Sequence, residues 1–409
     1  SPHIGRLLAA PGNAGIAADA QSVSVGVDDI SALVALVEQE QIDLTVVGPE
    51  APLVAGLADQ LRDRGFAVFG PGADGARVEG SKAFAKEVME AAGVPTGRAV
   101  TFRSHDEALS HLRDHGVPTV IKADGLAAGK GVIVAKTLEE AKEALAKCFV
   151  TRSFGDAADT VLVEEYLEGQ EVSLLAIVSG DQILPLAPAQ DYKRIFDDDQ
   201  GPNTGGMGSY SPVPVVDDEL CGRLVDDVLT PTVRELARRE IDFRGVLYAG
   251  LMLTVDGPKV LEFNCRFGDP ETQALLPRLD SDLLELLATA AKGGKLPPTV
   301  KWRKGAAVGV VMASRGYPAS SSKGDAISGL EAVEHHEGGE VFHAATSRSD
   351  QGIVTAGGRV LTVTGLGDTY RESRARAYQA VAEIDFEGEQ HRSDIALRAE
   401  QWERSRHGR

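Results

Sequence analysis

The segment 121–132 constrains this chain most. Ile121-Lys122-Ala123-Asp124-Gly125-Leu126-Ala127-Ala128-Gly129-Lys130-Gly131-Val132 sets three glycines and two lysines between two apolar strands. A loop with so few bulky side chains can lay its backbone N–H groups against phosphate oxygens. It is not a P-loop, which needs four residues between its glycines and a Ser or Thr after the Lys; here three intervene and Gly131 follows Lys130. A plain β-turn with solvated lysines is the blander reading. Composition shifts the balance toward phosphate. Forty-two Lys and Arg against 61 Asp and Glu leave a net charge of −19. The mean field therefore repels nucleic acid and anionic membranes, and an anionic substrate needs its own local cations. With 5% aromatic residues, little is left for base-stacking platforms.

A chain of 409 residues predicts two to four folded units, and 43% hydrophobic with 25% charged residues excludes a disordered or fibrous chain. In the first 80 residues short apolar strands alternate with amphipathic helices. Ser31 is the expected cap of a helix carrying Leu33, Val34, Leu36 and Val37, strands are expected at 44–47 and 66–69, and a second helix at 53–64. This reads as a parallel βαβ sheet, which binds ligands beyond the carboxyl ends of its strands; Gly48-Pro49-Glu50 and Gly70-Pro71-Gly72 sit at two such ends. From Ser81 the pattern becomes a helix followed by short strands and glycine-rich turns, the signature of antiparallel sheets. Residues 247–264 read as a hairpin turning at Asp256-Gly257-Pro258, and a helix follows within 282–291. Pro297-Pro298 marks a boundary, beyond which strands near 307–313, 340–345 and 359–364 and a helix near 369–384 form a small α+β unit. Cys148, Cys221 and Cys265 form no C-x-x-C pair, no apolar run approaches the ~18 residues that cross a bilayer, and a reducing cytoplasmic setting fits.

Two further segments carry chemistry. On the strand Leu261-Glu262-Phe263-Asn264 side chains alternate, so Glu262 and Asn264 share a face, roughly 7 Å apart at Cα. Two hard oxygen ligands suit Mg²⁺, and Arg266 has the charge for a carboxylate or acyl phosphate; a strand end with a surface salt bridge is the competing reading. The acidic turn Glu164-Glu165-Tyr166-Leu167-Glu168-Gly169-Gln170-Glu171 ends one strand and begins another, where backbone groups could meet an adenine edge and an acid a ribose; acids at a turn are also commonly just solvated. Residues 201–208, rich in glycine, form a loop, with Asp191, Lys193 and Arg194 in reach of a zwitterionic ligand. His335-His336 and His343 show no third ligand at metal spacing, and Cys265 has no His in local sequence.

Together these segments, in this order, resemble the ATP-grasp enzymes. The strings PGNAG (11–15), VGPEAPL (47–53), GSKAFAK (80–86), IKADGLAAGKGVIVA (121–135), GPNTGGMGSYSP (201–212) and EFNCRFGDPETQ (262–273) resemble, more narrowly, the phosphoribosylamine–glycine ligase family of purine biosynthesis. The resemblance implies an N-terminal pre-ATP-grasp substrate domain over 1–80, an ATP-grasp domain over 81–292 with a lid lobe at about 98–168, and a C-terminal α+β domain over 299–409. It also implies a ligation of glycine to 5-phosphoribosylamine with ATP and Mg²⁺ or Mn²⁺, through glycyl phosphate. Carried over residue by residue, Lys82 and Lys122 hold phosphates, with Gly125, Gly129, Lys130 and Gly131 in the closing loop. Glu164, Glu165, Tyr166, Leu167 and Glu171 hold adenosine, and Glu262 and Asn264 hold the metal. Asp191, Lys193, Arg266, Gly268 and Asp269 form the glycine pocket, while Asn13 and Glu50 face the amino-sugar phosphate. Lys122 and Arg266 are the expected catalytic pair.

The family begins with a strand and a glycine-rich turn that are not found before Ser1. Many relatives also place an acid about twelve residues before the metal strand, where Ala249 and Gly250 stand here. The resemblance implies a transient contact with the enzyme that supplies phosphoribosylamine, and no nucleic-acid or membrane partner. Another ATP-grasp carboxylate–amine ligase, or a catalytically silent nucleotide-binding module, remains open at the level of sequence.

Overall fold

The computed structural model describes residues 1–127, 130–333, 337–350 and 352–407. At its centre lies a four-stranded antiparallel sheet in the order Gln182–Pro185, Gln170–Ser179, Arg244–Thr254, Gly257–Asn264. Its middle strands are apolar almost without interruption because both faces are covered. Leu174, Ala176 and Leu247 enter the core shared with the N-terminal segment, while Leu175, Ile177 and Val246 pack against the helix Leu283–Ala291. The expected hairpin is present, with Tyr248 opposite Asn264 and a bulge between Gly250 and Leu251.

A second antiparallel sheet, in the order Ala99–Phe102, Val161–Glu165, Thr119–Ala123, Val132–Ala135, carries the helices His105–His115 and Leu138–Phe149. Its core, built around Leu112, Ile121, Leu145 and Val161, is separate from the central one. This lobe joins the body where the chain enters near Gly97 and leaves near Glu165, and those two crossings are bonded to each other by Glu165 N–H to the Arg98 carbonyl.

The N-terminal strands are parallel, but they form two separate pairs, Leu8–Ala9 with Gln21–Ser22 and Thr45–Val46 with Val68–Phe69. Asp29, not Ser31, caps the helix Ile30–Glu40: its Oδ1 accepts the Ala32 N–H at 3.0 Å, which leaves Ser31 inside the first turn. The single helix expected at 53–64 is two, Glu50–Val54 and Leu57–Asp63, because Gly56 takes φ +81° between them.

Toward the C-terminus the strands Ala306–Ala313, Arg359–Gly367 and Gly339–His343 form a sheet covered by the helix Tyr370–Glu383. That sheet does not end at a domain border. Gly208–Ser211 pairs with residues 307–310, and Gln190–Asp191 pairs with Gly208–Ser211, so two strands of the middle segment complete it. The arrangement carries Asp191, Lys193 and the glycine-rich loop onto the C-terminal segment. No described helix is long and apolar enough to cross a membrane.

Candidate active site

A cleft of about 1100 Å³ runs between the lobe and the central sheet, and reaches the N-terminal segment at Glu50 and the C-terminal segment at Arg359. In a protein of net charge −19 its walls carry lysines and arginines from the lobe, the middle segment around the central sheet and the C-terminal segment, while the N-terminal segment contributes the acids Glu50 and Glu79.

The helix Lys82–Ala92 begins at Ser81, whose hydroxyl accepts the Phe84 N–H, so Lys82 stands on the first turn, directed at the cleft. Burial pulls its ammonium below the ordinary lysine range, and the charge of Lys122 adds to this while Glu262 opposes it. Lys122, on the strand Thr119–Ala123, lies 2.7 Å from Glu164 Oε2 and donates to the Leu261 carbonyl at 3.0 Å. Lys86 meets the other oxygen of the same carboxylate at 2.9 Å. Glu164, 2% exposed, is thus held between two lysines, and its side chain is not turned to solvent as a loop acid would be. Glu165 accepts the Arg98 N–H, which with nearby Lys259 outweighs burial and holds it below the usual carboxylate range. Tyr166, Leu167 and Glu171 line the cleft beside it.

On the opposite wall Glu262 and Asn264 both line the cleft, and Phe263 between them enters the core. Burial opposes ionisation of Glu262, yet Lys193, Lys122, Lys82 and Arg266 together overcome it and hold the carboxyl below its ordinary value. Asn264 Oδ1 accepts from Arg266 at 3.1 Å, which fixes which end of the amide is oxygen and leaves that oxygen a second lone pair. One ionised carboxylate and one amide oxygen make a hard donor set that fits a Mg²⁺-like ion completing its shell with water and phosphate. Ala249 and Gly250 offer no third carboxylate.

Arg266 is oriented by acids from the N-terminal segment, with Glu79 Oε1 at 3.0 Å and Glu50 Oε2 at 3.5 Å. Glu79 also accepts the Cys265 N–H at 2.8 Å. Asp191 lies 2.8 Å from Lys193. Burial alone would lower Lys193, but Asp191, then Tyr248, Glu171 and Glu262 hold it well above the ordinary range. Asp269 pairs with Arg359 at 3.1 Å, and Gly268 sits over Glu271, whose Oε1 accepts the Tyr248 hydroxyl at 2.5 Å.

The expected residues thus converge, with exceptions. Asn13 is not at the cleft: its amide NH2 donates to the carbonyls of His343 at 2.7 Å and Ala344 at 3.1 Å, tying the N-terminal turn to the C-terminal segment, while its Oδ1 accepts the Ile16 N–H at 2.8 Å. Lys130 is exposed and off the cleft, and its backbone N–H is bonded to the Ala127 carbonyl; Gly131 lies on the wall. Gly125 contributes its carbonyl to Lys82 at 3.3 Å, while Gly129 and the His335-His336 pair fall outside the described residues. Cys265 is buried, and burial beside Glu79 pushes its thiol far up, so it is no nucleophile. Lys86 and Glu271 lie inside the strings 80–86 and 262–273 without a role assigned to them there, and Glu79 stands just before the first of these strings. Lys86 alone had a local signal, standing four residues after Lys82 on one helix face.

Fold and cleft define an ATP-grasp ligase. Three family descriptions match consecutive stretches: the phosphoribosylglycinamide synthetase N domain over residues 1–79, its ATP-grasp (A) domain over 80–272 and its C domain over 307–398. Among curated proteins the chain is 48% identical over 402 residues to the phosphoribosylamine–glycine ligase of Vibrio parahaemolyticus, covering 98% of this chain and 94% of that one. The Escherichia coli O157:H7 enzyme of the same name is 48% identical over 403 residues, with 98% and 94% covered. The crystal structure of the Thermotoga maritima phosphoribosylamine–glycine ligase superposes with a TM-score of 0.83 at 33% identity, covering 95% of this chain and 93% of that one. A Campylobacter jejuni biotin carboxylase, 14% identical at TM-score 0.71 with 94% and 86% covered, shares the fold alone. The chain belongs to the phosphoribosylglycinamide synthetase family.

Proposed function

We propose that this chain joins glycine to 5-phosphoribosylamine at the expense of ATP, giving glycinamide ribonucleotide, ADP and phosphate through glycyl phosphate. The observation that carries the reading is family membership over nearly the whole chain, joined to a cleft where Lys122 and Glu262 approach from opposite walls. A carboxylate is a poor electrophile and its oxygen a poor leaving group, so the glycine carboxylate is first phosphorylated. Its oxygen attacks the γ-phosphorus in line as ADP departs. Lys82, Lys122 and amides of the loop 125–131 other than those of Gly125 and Lys130, which are bonded to the Ala157 and Ala127 carbonyls, neutralise the phosphate oxygens. Glu165, Tyr166, Leu167 and Glu171 hold the adenosine while Glu164 stays paired with the lysines behind them, and the lobe at about 98–168 closes to keep water from the acyl phosphate. Asp191, Lys193, Gly268 and Asp269 seat glycine. The amine then attacks the acyl carbon, Arg266 steadies the oxyanion, phosphate leaves, and the amine sheds a proton. No protein nucleophile is required.

Glu262 and Asn264 would hold Mg²⁺ or Mn²⁺, which when bound offsets the triphosphate charge. Glu50, beside Arg266 at the start of the helix Glu50–Val54, faces the amino sugar. The N-terminal part over 1–80 brings that substrate, 81–292 activates glycine, and 299–409 closes the far side of the cleft. The protein works in the cytoplasm and takes its labile amine by transient contact with the enzyme that makes it.

The test is ADP release with glycine and freshly generated phosphoribosylamine. ADP formation that needs both substrates supports the reading. Release that continues without glycine assigns the chain to another ligase of the class, and nucleotide binding with no substrate-dependent turnover makes it a silent module.

A further inference from the structure

Lys86 stands where a single side chain reaches both crossings between lobe and body. Its ammonium donates to Thr96 Oγ1 at 2.8 Å and to the Gly97 carbonyl at 2.7 Å, on the chain entering the lobe. It lies 2.9 Å from Glu164 Oε1, on the chain leaving it. Three acceptors occupy all three N–H bonds of a side chain that is only 16% exposed. Thr96 is in turn bonded to the Val260 carbonyl of the central sheet, so the entering strand is fastened on both sides.

The second partner of Glu164 is Lys122, the lysine that must serve a phosphate. A carboxylate 2% exposed cannot be left without a cation, since an uncompensated buried charge costs several kcal/mol. If Lys122 were its sole partner, the carboxylate would compete with nucleotide for that ammonium. With Lys86 at the other oxygen, Lys122 can turn to a phosphate oxygen while Glu164 keeps a counter-charge. Lys86 itself is tied to backbone on the body side and has no free N–H to offer a ligand.

We propose that Lys86 is a positioning residue which pins the two crossings of the lobe and neutralises Glu164, so that Lys122 is released to bind nucleotide phosphate. This rests on the cleft being the ATP site.

The experiment is calorimetric titration of MgADP into wild type, Lys86→Met and the double variant Lys86→Met/Glu164→Gln, each with its Tm. The proposal expects Lys86→Met to weaken MgADP by roughly tenfold or more, and the double variant to recover most of that loss because the stranded charge is gone. Glycine KM is expected to change far less than ATP KM, a split that general loosening of the fold would not produce. Unchanged MgADP affinity in Lys86→Met, or a double variant no better than the single one, overturns the proposal. Should Lys86→Met not fold, the double variant decides: binding within about threefold of wild type supports action through Glu164, and any larger loss overturns it. Wild type that binds no MgADP refutes the ATP site itself, a result distinct from any of these.

Discussion

Glu79→Gln separates the orienting of Arg266 from the shape of its surroundings. The substitution keeps an oxygen to accept the Cys265 N–H, 2.8 Å away in wild type, and presents Arg266 with an amide NH2 in place of the charged acceptor. Glu79 Oε1 lies 3.0 Å from the Arg266 guanidinium, where at an effective dielectric of about 20 two unit charges attract by roughly 5 kcal/mol. Desolvation returns part of this: burial pushes the Glu79 carboxyl above its ordinary value, even with Arg266 and the Cys265 N–H opposing it. Glu50, at 3.5 Å, remains as a weaker partner. The net loss is therefore about 2–3 kcal/mol, somewhat less than for a fully stranded buried charge. Arg266 then swings toward Glu50, and a displacement of about 1 Å at an oxyanion donor costs on the order of 10²-fold in kcat. Steady-state ADP release, with glycine and ATP varied in turn, reads kcat apart from each KM. A variant whose Tm falls while kcat stays within about twofold of wild type would refute the reasoning, leaving Glu79 as a structural acid only.

Lys122→Ala is expected to lower kcat/KM for ATP by on the order of 10²-fold or more, with only a modest loss in Tm because Lys86 still neutralises Glu164; wild-type turnover would remove the lysine from the chemistry. Gly268→Ala places a Cβ 2.4 Å from Glu271 Oε2 and 2.9 Å from Tyr248, so either the acid or the loop must shift. Glycine KM should rise well beyond ATP KM, and equal changes in both would place Gly268 outside the glycine pocket. At the C-terminal end His391 is bonded to Glu389, and that bond raises its pKa against the effect of burial. A base raised in the folded state contributes stability that is complete below its unfolded value of ~6.5 and lost as pH rises through the folded one. Glu389→Gln should thus lower Tm more at about pH 5.5 than at about pH 9, and an equal deficit at both would show that the pair is not an ionic one.

Much of the site is legible in the order of residues alone. The loop 121–132, the strand carrying Glu262 and Asn264, and the acidic turn at 164–171 are local patterns, and each lies on the strand or turn expected of it. Strand alternation depends on neighbours two residues apart, and caps and turns on neighbours three or four apart, so the chain writes them out in order. Even there, near-equivalent local choices were decided by geometry. Asp29 and Ser31 both suit a helix start, but only Asp29 has its oxygen on the Ala32 N–H.

What the tertiary structure alone decided joins residues far apart in the chain. Glu79 reaches Arg266, Lys86 reaches Glu164, and Asn13 is drawn away from the cleft to His343. Likewise Gly208–Ser211 leaves its neighbours in sequence to pair with 307–310. No periodicity encodes such pairings. They follow from burial, which brings an acid and a base out of water together and makes each costly without the other. The sequence by itself determined which groups could do the chemistry; packing determined which charges face one another, and so which of those groups are held in position and which are spent on holding the fold.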